Sequence, residues 1–133
     1  MTNIENPLIS FIIAAYNVEF FIDNCIDSCF NQTYDNIEVC VTDDGSTDNT
    51  WNKLLSLKSK YSKLKIFKFE HNLGKIHAFN KSFLLSEGQY IALMDSDDYC
   101  LENRILLQYN ALLSECVSMV CGGYFVTDEK LNV

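Results

Sequence analysis

Two acidic turns contain the residues of this sequence best suited to chemistry. DDGSTD at residues 43–48 follows one apolar run of strand length, and DSDD at residues 95–98 follows another. Carboxylates gathered in a cleft repel one another unless a cation offsets their charge. Oxygen-only ligands suit Mg²⁺ or Mn²⁺, which keep coordination positions open for water and phosphate oxygens. The pattern therefore favours a divalent metal site that holds a diphosphate.

The same acidic residues also have an ordinary structural interpretation, because Asp, Gly and Ser form turns and cap helices. For Asp44, Asp48 and Asp98 taken singly, that structural role is the preferred interpretation. For Asp43 and Asp97 we favour a binding role, since each closes a predicted strand at the edge where open α/β sheets bind ligands. Calcium sensing is not supported, because neither turn has the spacing of an EF-hand loop.

A third segment, after the next apolar run, carries positive charge. Gly74 would allow the backbone to turn closely into a helix whose N-terminus favours an anion, and Lys75 adds a cation at that point. Taken alone this is a weak signal. His71 and His77 are interpreted as surface or packing residues. Tyr16 is equally consistent with a half-buried strand-end aromatic and with a platform on which a base stacks.

Alternating strands and helices are predicted to position these residues. Apolar runs predict buried strands at residues 8–15, 37–42, 64–69, 90–94 and 119–121. Three- and four-residue apolar spacing predicts four amphipathic helices, which run through Val18 to Cys29, Trp51 to Leu55, Ile76 to Phe83 and Ile105 to Cys116. This alternation predicts an α/β fold: a doubly wound, mainly parallel sheet with helices on both faces.

Local signals mark where the first two helices begin. Asn17 is expected to cap the first helix, and Ser46 or Thr47 the second. With 133 residues and no repeat or linker, the whole chain is expected to form a single domain.

The charge of the chain limits its partners. A formal net charge of -8 argues against nucleic acid as a partner. An anionic ligand would therefore need local positive potential from a metal ion, a helix N-terminus or single basic side chains. No signal peptide or membrane span is visible, so we expect a cytoplasmic protein.

The cysteines are interpreted as reduced thiols that act as small core hydrophobes. Cys25 and Cys29 stand one helical turn apart, but no CxxC and no nearby His completes a zinc set, so ligation by sulfur is discounted. The six are Cys25, Cys29, Cys40, Cys100, Cys116 and Cys121.

Taken together, four segments resemble the inverting family 2 glycosyltransferases, which have the GT-A fold. Their order matches the family's first strand with its Tyr-Asn ending, its acidic signature, its Asn-x-Gly-x-x-x-Ala-x-Asn pattern and its metal-binding DxD motif. The segments are SFIIAAYN at residues 10–17, VTDDGSTD at 41–48, NLGKIHAFN at 72–80 and GQYIALMDSDD at 88–98.

The resemblance implies a role for each matching residue. Tyr16 would lie against the nucleotide base, and Asp43 would accept a hydrogen bond from it, which in this family usually means uracil. Asp95 would lie near the ribose and the metal. Asp97 would ligate the Mg²⁺ or Mn²⁺ that bridges the diphosphate, and Lys75 would face the phosphates.

Departures from the family pattern affect the donor site and the base. Many relatives carry Pro at the position of Ala14 and Ser or Thr at the position of Ala15, so a hydroxyl contact to the nucleotide is expected to be missing. Ala14 and Ser96 are nevertheless expected to contact the donor. The family's acceptor half and its general base lie beyond the DxD motif, so we expect that half to be absent and name no catalytic base. The candidate carboxylates that follow the DxD motif are Glu102 and Glu115, which fit a helix, and Asp128 and Glu129, which fall in a polar tail.

The function that the resemblance implies is inverting transfer of a sugar, from a UDP-sugar, to a hydroxyl of a saccharide or glycolipid. The alternative is a non-catalytic nucleotide- or protein-binding module of the same fold, which the intact DxD motif argues against and the missing base argues for. A receiver-like phospho-acceptor domain is a weaker alternative, because no suitably placed Lys follows a later strand. A longer parent protein would act at the inner membrane face, and an exposed sheet edge would promote homo-oligomers.

Overall fold

The computed structural model describes residues 6–128 and arranges them around a four-stranded parallel sheet. The strands are β1 (Ile9–Ala15), β2 (Ile37–Asp43), β3 (Leu64–Lys68) and β4 (Tyr90–Asp95). The helices are α1 (Ile22–Phe30), α2 (Thr50–Lys60), α3 (Lys75–Leu85) and α4 (Arg104–Glu115). The predicted α/β class is therefore confirmed, and so are the first four predicted strands.

The strand order in the sheet is β3-β2-β1-β4, and every neighbouring pair is parallel. The chain thus moves outward from β1 to β3 and then crosses back to place β4 on the other side of β1. In the register, Ala14 pairs with Asp95 and Ala15 pairs with Asp43. The carboxyl ends of β1, β2 and β4 consequently meet at one edge, at the reversal of strand order where open α/β sheets bind ligands.

Helices cover both faces of the central strands. On one face, the hydrophobic core includes alternate residues of β1, such as Phe11 and Ile13, together with Ile22 and Ile26 of α1. On the opposite face, α3 packs against β1 and β2. The buried Ser82 of α3 donates a hydrogen bond to the carbonyl oxygen of Ile13 at 2.8 Å, so this helix is tied directly to the middle of the sheet.

The predicted caps of the first two helices are wrong. Helix α1 begins at Ile22 after Phe21, whereas Asn17 adopts a left-handed φ of 51° and its Oδ1 accepts a hydrogen bond from the N–H of Thr47. Helix α2 begins at Thr50, and neither Ser46 nor Thr47 caps it. Both predictions fail because these side chains bond to a neighbouring loop instead.

The predicted strand at residues 119–121 is also wrong. Helix α4 ends at Glu115, the next residue Cys116 has a left-handed φ of 51°, and residues 117–128 form no strand. Side chains of this segment, including those of Met119 and Cys121, are largely exposed. Its apolar residues therefore lack the neighbouring layer that a buried strand requires.

The six cysteines are all unpaired. The prediction of buried, reduced thiols is confirmed for Cys25, Cys29, Cys40 and Cys100, but Cys116 and Cys121 are exposed. Within residues 6–128, no helix combines the length and the apolar character needed to cross a membrane.

Candidate functional site

A cavity of about 280 Å³ opens at the carboxyl edge of the sheet, where β1 and β4 end side by side. Six of the seven predicted site residues line it, and only Asp43 does not. The lining residues are Ala14, Ala15, Tyr16, Val18, Asp44, Asn72, Lys75, Asp95, Ser96 and Asp97. The structure thus brings together residues from four separate segments of the chain.

Asp43 lies beneath this cavity rather than on its wall. Its side chain is fully buried, and Oδ1 accepts a hydrogen bond from the N–H of Ser46 at 2.9 Å. Oδ2 lies 3.4 Å from the Nζ of Lys68. Among the side-chain atoms of residues 6–128, this Oδ2 is the only buried one without a hydrogen-bond partner. Asp43 Oδ2 is therefore ion-paired with Lys68 but accepts no hydrogen bond from the described residues.

Asp44 reaches the cavity wall and also has the structural role that the sequence favoured. Its two carboxylate oxygens accept hydrogen bonds from the backbone N–H groups of Leu73 and Gly74, at 2.8 and 2.9 Å. These groups immediately precede α3, so the negative carboxylate lies at the positive end of that helix. No feature of the sequence indicated that Asp44, and not Asp43, would line the cavity.

Gly45 allows the acidic turn to pack against the segment before α3. Its φ is +72°, and a Cβ added to it would lie 2.5 Å from the backbone carbonyl carbon of His71. A side chain here would meet both a strained backbone conformation and a backbone clash. Glycine is therefore required where the β2–α2 turn and the segment before α3 touch.

Hydrogen bonds join the loop after β1 to residues 46–50, which include the end of the acidic turn after β2 and the first residue of α2. Five hydrogen bonds connect a backbone N–H of one segment to a side chain of the other, or the reverse, at 2.9 to 3.1 Å. The donor and acceptor residues are Asn17 to Ser46, Val18 to Thr50, Glu19 to Asp48, Thr47 to Asn17 and Asn49 to Glu19. Most polar residues of the turn thus fix the loop that carries Tyr16.

Asp48 belongs to this set of contacts, and its charge is stabilised by them. Burial alone would raise the pKa of its carboxyl, but hydrogen bonds from Thr50 and from the N–H of Glu19 outweigh that effect and lower the pKa. The interpretation of Asp48 as a structural residue agrees with these bonds.

The opposite wall of the cavity carries an ion pair and further negative charge. The Nζ of Lys75, the first residue of α3, lies 2.6 Å from Oδ1 of Asp95, the last residue of β4. Asp97 is exposed beside them. Burial, followed by the charges of Asp97 and Asp95, raises the pKa of the neighbouring Asp98. Negative charge therefore accumulates on this wall, where Lys75 is the one Lys or Arg of the cavity lining among residues 6–128.

The residues of this wall fit Mg²⁺ or Mn²⁺. Asp95 and Asp97 bring hard carboxylate oxygens to the cavity lining. Among residues 6–128, no group of three His, Cys, Asp or Glu residues that could hold a metal occurs. Zinc sites enclose the ion with several such ligands. Mg²⁺ instead takes one or two carboxylates and completes its coordination with water and substrate phosphates. The donor set therefore suits an ion that a phosphate-bearing ligand completes.

The remaining candidate carboxylates do not line the cavity. Glu115 ends α4, Glu102 lies in the turn before that helix, and Asp128 lies in the exposed segment after it. Glu129 lies outside the described residues. His71 and His77 are exposed, in agreement with the prediction that they are surface residues. Of the groups that the structure describes, Glu102, Glu115, Asp128, His71 and His77 do not line the cavity.

A second cavity, of about 250 Å³, lies away from the predicted site residues. It is lined by Phe30, Tyr34, Asp35, Ile37 and residues 60–63, near the beginning of β2. It contains none of the residues that the sequence singled out for binding.

Comparison with known sequences gives a family match. Residues 10–133 match the family described as glycosyl transferase family 2. The Escherichia coli protein named UDP-Glc:alpha-D-GlcNAc-diphosphoundecaprenol beta-1,3-glucosyltransferase WfaP is 36% identical over 119 residues, which are 90% of this chain and 47% of that protein. The chain spans half or less of the length of the first curated relatives that it matches.

Two solved structures share the fold. S. aureus TarS 1-349, in complex with UDP-GlcNAc, is 31% identical with a TM-score of 0.68, over 81% of this chain and 31% of that one. The mannosyltransferase PcManGT from Pyrobaculum calidifontis, in complex with GDP-Man and Mn²⁺, is 25% identical with a TM-score of 0.70, over 76% of this chain and 30% of that one. The expected GT-A architecture is therefore confirmed for the matched part of the chain.

Proposed function

This chain belongs to glycosyl transferase family 2, and on that premise we propose that it forms the nucleotide-sugar-binding part of an inverting glycosyltransferase. The donor is a UDP-sugar, and the acceptor is a hydroxyl of a saccharide or glycolipid. The observation that carries this proposal is the cavity at the β1–β4 edge, where Tyr16, Lys75, Asp95 and Asp97 converge. TarS, which has been solved with UDP-GlcNAc, shares the fold and supports a uridine nucleotide as ligand.

The nucleoside is assigned to the wall that carries Tyr16. Tyr16 is 44% exposed and lines the cavity, which supports a role for its ring as a stacking surface for a planar base. Asp43 is assigned the hydrogen bond to the base, since its buried Oδ2 has no hydrogen-bond partner among the described residues. The Lys68 ammonium, 3.4 Å away, offsets the charge of this carboxylate, and a donor from the ligand would add the hydrogen bond that Oδ2 lacks.

The diphosphate is assigned to the opposite wall. Asp95 and Asp97 would hold Mg²⁺ or Mn²⁺, with Ser96 between them and Ala14 beside Asp95 in the sheet. The bound ion would offset the charge that develops on the departing nucleoside diphosphate. Lys75 supplies the positive charge of the protein itself on this wall.

The acceptor and the base are assigned to parts of the enzyme outside the described residues. In an inverting transfer, the acceptor hydroxyl attacks the anomeric carbon from the face opposite the leaving diphosphate, and a base removes its proton. Of the cavity carboxylates, Asp44 accepts two backbone hydrogen bonds and Asp95 is paired with Lys75. WfaP is named for an acceptor that contains diphosphoundecaprenol, which supports a glycolipid acceptor and action at the inner membrane face.

Calorimetric titration with UDP tests the proposal. We expect wild-type protein to bind UDP when Mn²⁺ is present, and Asp97→Ala to lose that binding. Glu115→Ala, which removes a carboxylate at the end of α4, should bind like wild type. Absence of UDP binding to the wild type in the presence of Mn²⁺ would overturn the assignment. Binding without sugar transfer by the complete enzyme would identify the non-catalytic module of the same fold.

Self-association is part of the proposal, because β4 is an edge strand of the described sheet. Ile91 and Leu93 of this strand are exposed. An exposed apolar edge is a template for pairing with another copy of the same strand. Sedimentation of the wild type at high concentration should show dimers that Leu93→Lys weakens, and a strict monomer would count against this part.

A further inference from the structure

The ion pair between Lys75 and Asp95 occupies a carboxylate that the proposed function assigns to a metal. The two groups lie 2.6 Å apart, and their side chains are 61% and 48% exposed. Because the pair is exposed to solvent, the interaction between the two charges is weak. The contact is therefore one that a competing ion or ligand can replace.

Asp95 Oδ1 is not expected to serve Lys75 and a divalent cation together. Both partners are positive, and placing them on the same carboxylate oxygen brings like charges into close repulsion. A metal that binds this carboxylate therefore competes with the ammonium group of Lys75 for Oδ1. The Asp97 carboxylate alone would be a poorer metal site, since a single carboxylate supplies fewer ligands.

The structure lets the side chain of Lys75 move while its backbone stays in place. Asp44 fixes the backbone just before Lys75 by accepting the N–H groups of Leu73 and Gly74. The Lys75 ammonium itself has one ion-pair partner and lies 5.4 Å from the centre of the Phe79 ring. A lysine side chain has several rotatable bonds, so the released group stays within reach of a ligand in the same cavity.

From this arrangement we propose that Lys75 is an exchangeable counter-ion that couples metal binding to nucleotide binding. In the free protein it neutralises Asp95; when the metal takes Asp95, the released ammonium group pairs with the nucleotide diphosphate. Each ligand then raises the affinity of the protein for the other, as thermodynamic linkage requires. This inference rests on the proposed function, because it needs the metal and the diphosphate to share the cavity.

The test measures Mn²⁺ binding directly, by electron paramagnetic resonance of the free ion, with and without UDP. Lys75→Met removes the ammonium group and keeps a long side chain, and Lys75→Arg keeps the charge. Without UDP, Lys75→Met should bind Mn²⁺ roughly 5- to 10-fold more tightly than wild type, while UDP should enhance Mn²⁺ binding less than it does in wild type. Lys75→Arg should stay within about 2-fold of wild type in Mn²⁺ affinity, since its positive charge still competes.

Lys81→Met is the matched control, because Lys81 lies on the same helix with its Nζ over the Phe67 ring and does not line the cavity. It should leave both affinities unchanged. Equal Mn²⁺ affinity of Lys75→Met and wild type in the absence of UDP would overturn the exchange while leaving UDP binding intact. If the wild-type protein does not bind UDP in the presence of Mn²⁺, the proposed function is overturned, and this inference with it.

Discussion

The carboxylate of Asp44 accepts a hydrogen bond from the backbone N–H of Gly74 at 2.9 Å, which joins the end of β2 to the beginning of α3. Its other oxygen accepts the N–H of Leu73. Two elements that are distant in sequence are thereby held together at the cavity. The position of Lys75 opposite Asp95 follows from this connection, because Lys75 is the next residue along the chain.

Asp44→Ala should lower both stability and nucleotide affinity. The variant leaves two backbone N–H groups without their acceptor, which costs about 1–3 kcal/mol of unfolding free energy. Lys75 would also lose its fixed backbone, so UDP should bind more weakly in the presence of Mn²⁺. Urea denaturation and calorimetry measure the two effects. Asp44→Asn retains one acceptor oxygen and should lie between Asp44→Ala and wild type; an Asp44→Ala variant as stable as wild type would contradict this role.

Gly45→Ala should be strongly destabilising. The positive φ of Gly45 alone costs about 1 kcal/mol or more with a side chain present, and the added Cβ would also press against the backbone of His71. Thermal unfolding followed by circular dichroism should show a clear fall in Tm. The matched control is Gly123→Ala, where a Cβ would meet no atom within 4 Å and no change in Tm is expected. Equal Tm values for the two variants would contradict the requirement for glycine at position 45.

Glu38 should give the protein a stability that depends on pH. It is 3% exposed, and its carboxylate accepts hydrogen bonds from Ser10, from the N–H of Glu87 and from Lys65. Burial by itself raises the pKa of Glu38, but these three contacts outweigh it and hold the pKa below its ordinary value of 4.5. Because the pKa is lower in the folded state, the stabilisation is complete above pH 4.5 and is lost as the pH falls through the folded-state value.

Glu38→Gln tests this pH dependence. At neutral pH it should reduce the unfolding free energy by about 1–3 kcal/mol, and the difference from wild type should shrink as the solution is acidified below pH 4.5. Urea denaturation at a series of pH values measures both. Glu87→Gln is the control, because that side chain is 76% exposed and its ion pair with Lys65 should contribute less than about 1 kcal/mol. A difference that stays constant with pH would argue against the role of the Glu38 charge.

Tyr16→Ala should weaken UDP binding without unfolding the protein. Stacking of a base on an aromatic ring contributes about 1–3 kcal/mol, so the affinity should fall by roughly 5- to 150-fold. Calorimetry at saturating Mn²⁺ measures the loss. Tyr124→Ala removes an exposed tyrosine that does not line the cavity and should leave the affinity unchanged. An unchanged affinity in Tyr16→Ala would remove Tyr16 from the base-binding wall.

The elements of the fold could be predicted from sequence because apolar periodicity reports burial directly. β1 and β2 are buried along their whole length, and a continuous apolar run is typical of such strands. The helix caps could not be predicted in the same way. Asn17 and Ser46 are good capping residues, but a capping side chain has more than one available backbone partner. The partner chosen here lies about thirty residues away in sequence, so only the packed structure reveals it.

The sequence predicted the sheet edge at which the candidate site lies, but not the position of each side chain there. Fold class places the ends of β1, β2 and β4 together, and the acidic turns therefore had to meet. Asp43 and Asp44 are adjacent, and successive side chains of an extended chain point to opposite sides, so their roles depend on the twist at the end of β2. The ion pair of Lys75 with Asp95 also carried no local signal, because it joins a helix to a strand.

The five hydrogen bonds between the loop after β1 and residues 46–50 have a consequence for inhibitor design. They hold the wall that carries Tyr16 in place before any ligand binds. The protein therefore loses little conformational entropy when a compound contacts this wall alone. Under the counter-ion exchange proposed above, the wall of Lys75 and Asp95 rearranges when a ligand binds, and a charged group that contacts this wall meets that cost. Planar uracil-like fragments are accordingly the better starting points for chemistry, with phosphate mimics added in a later round.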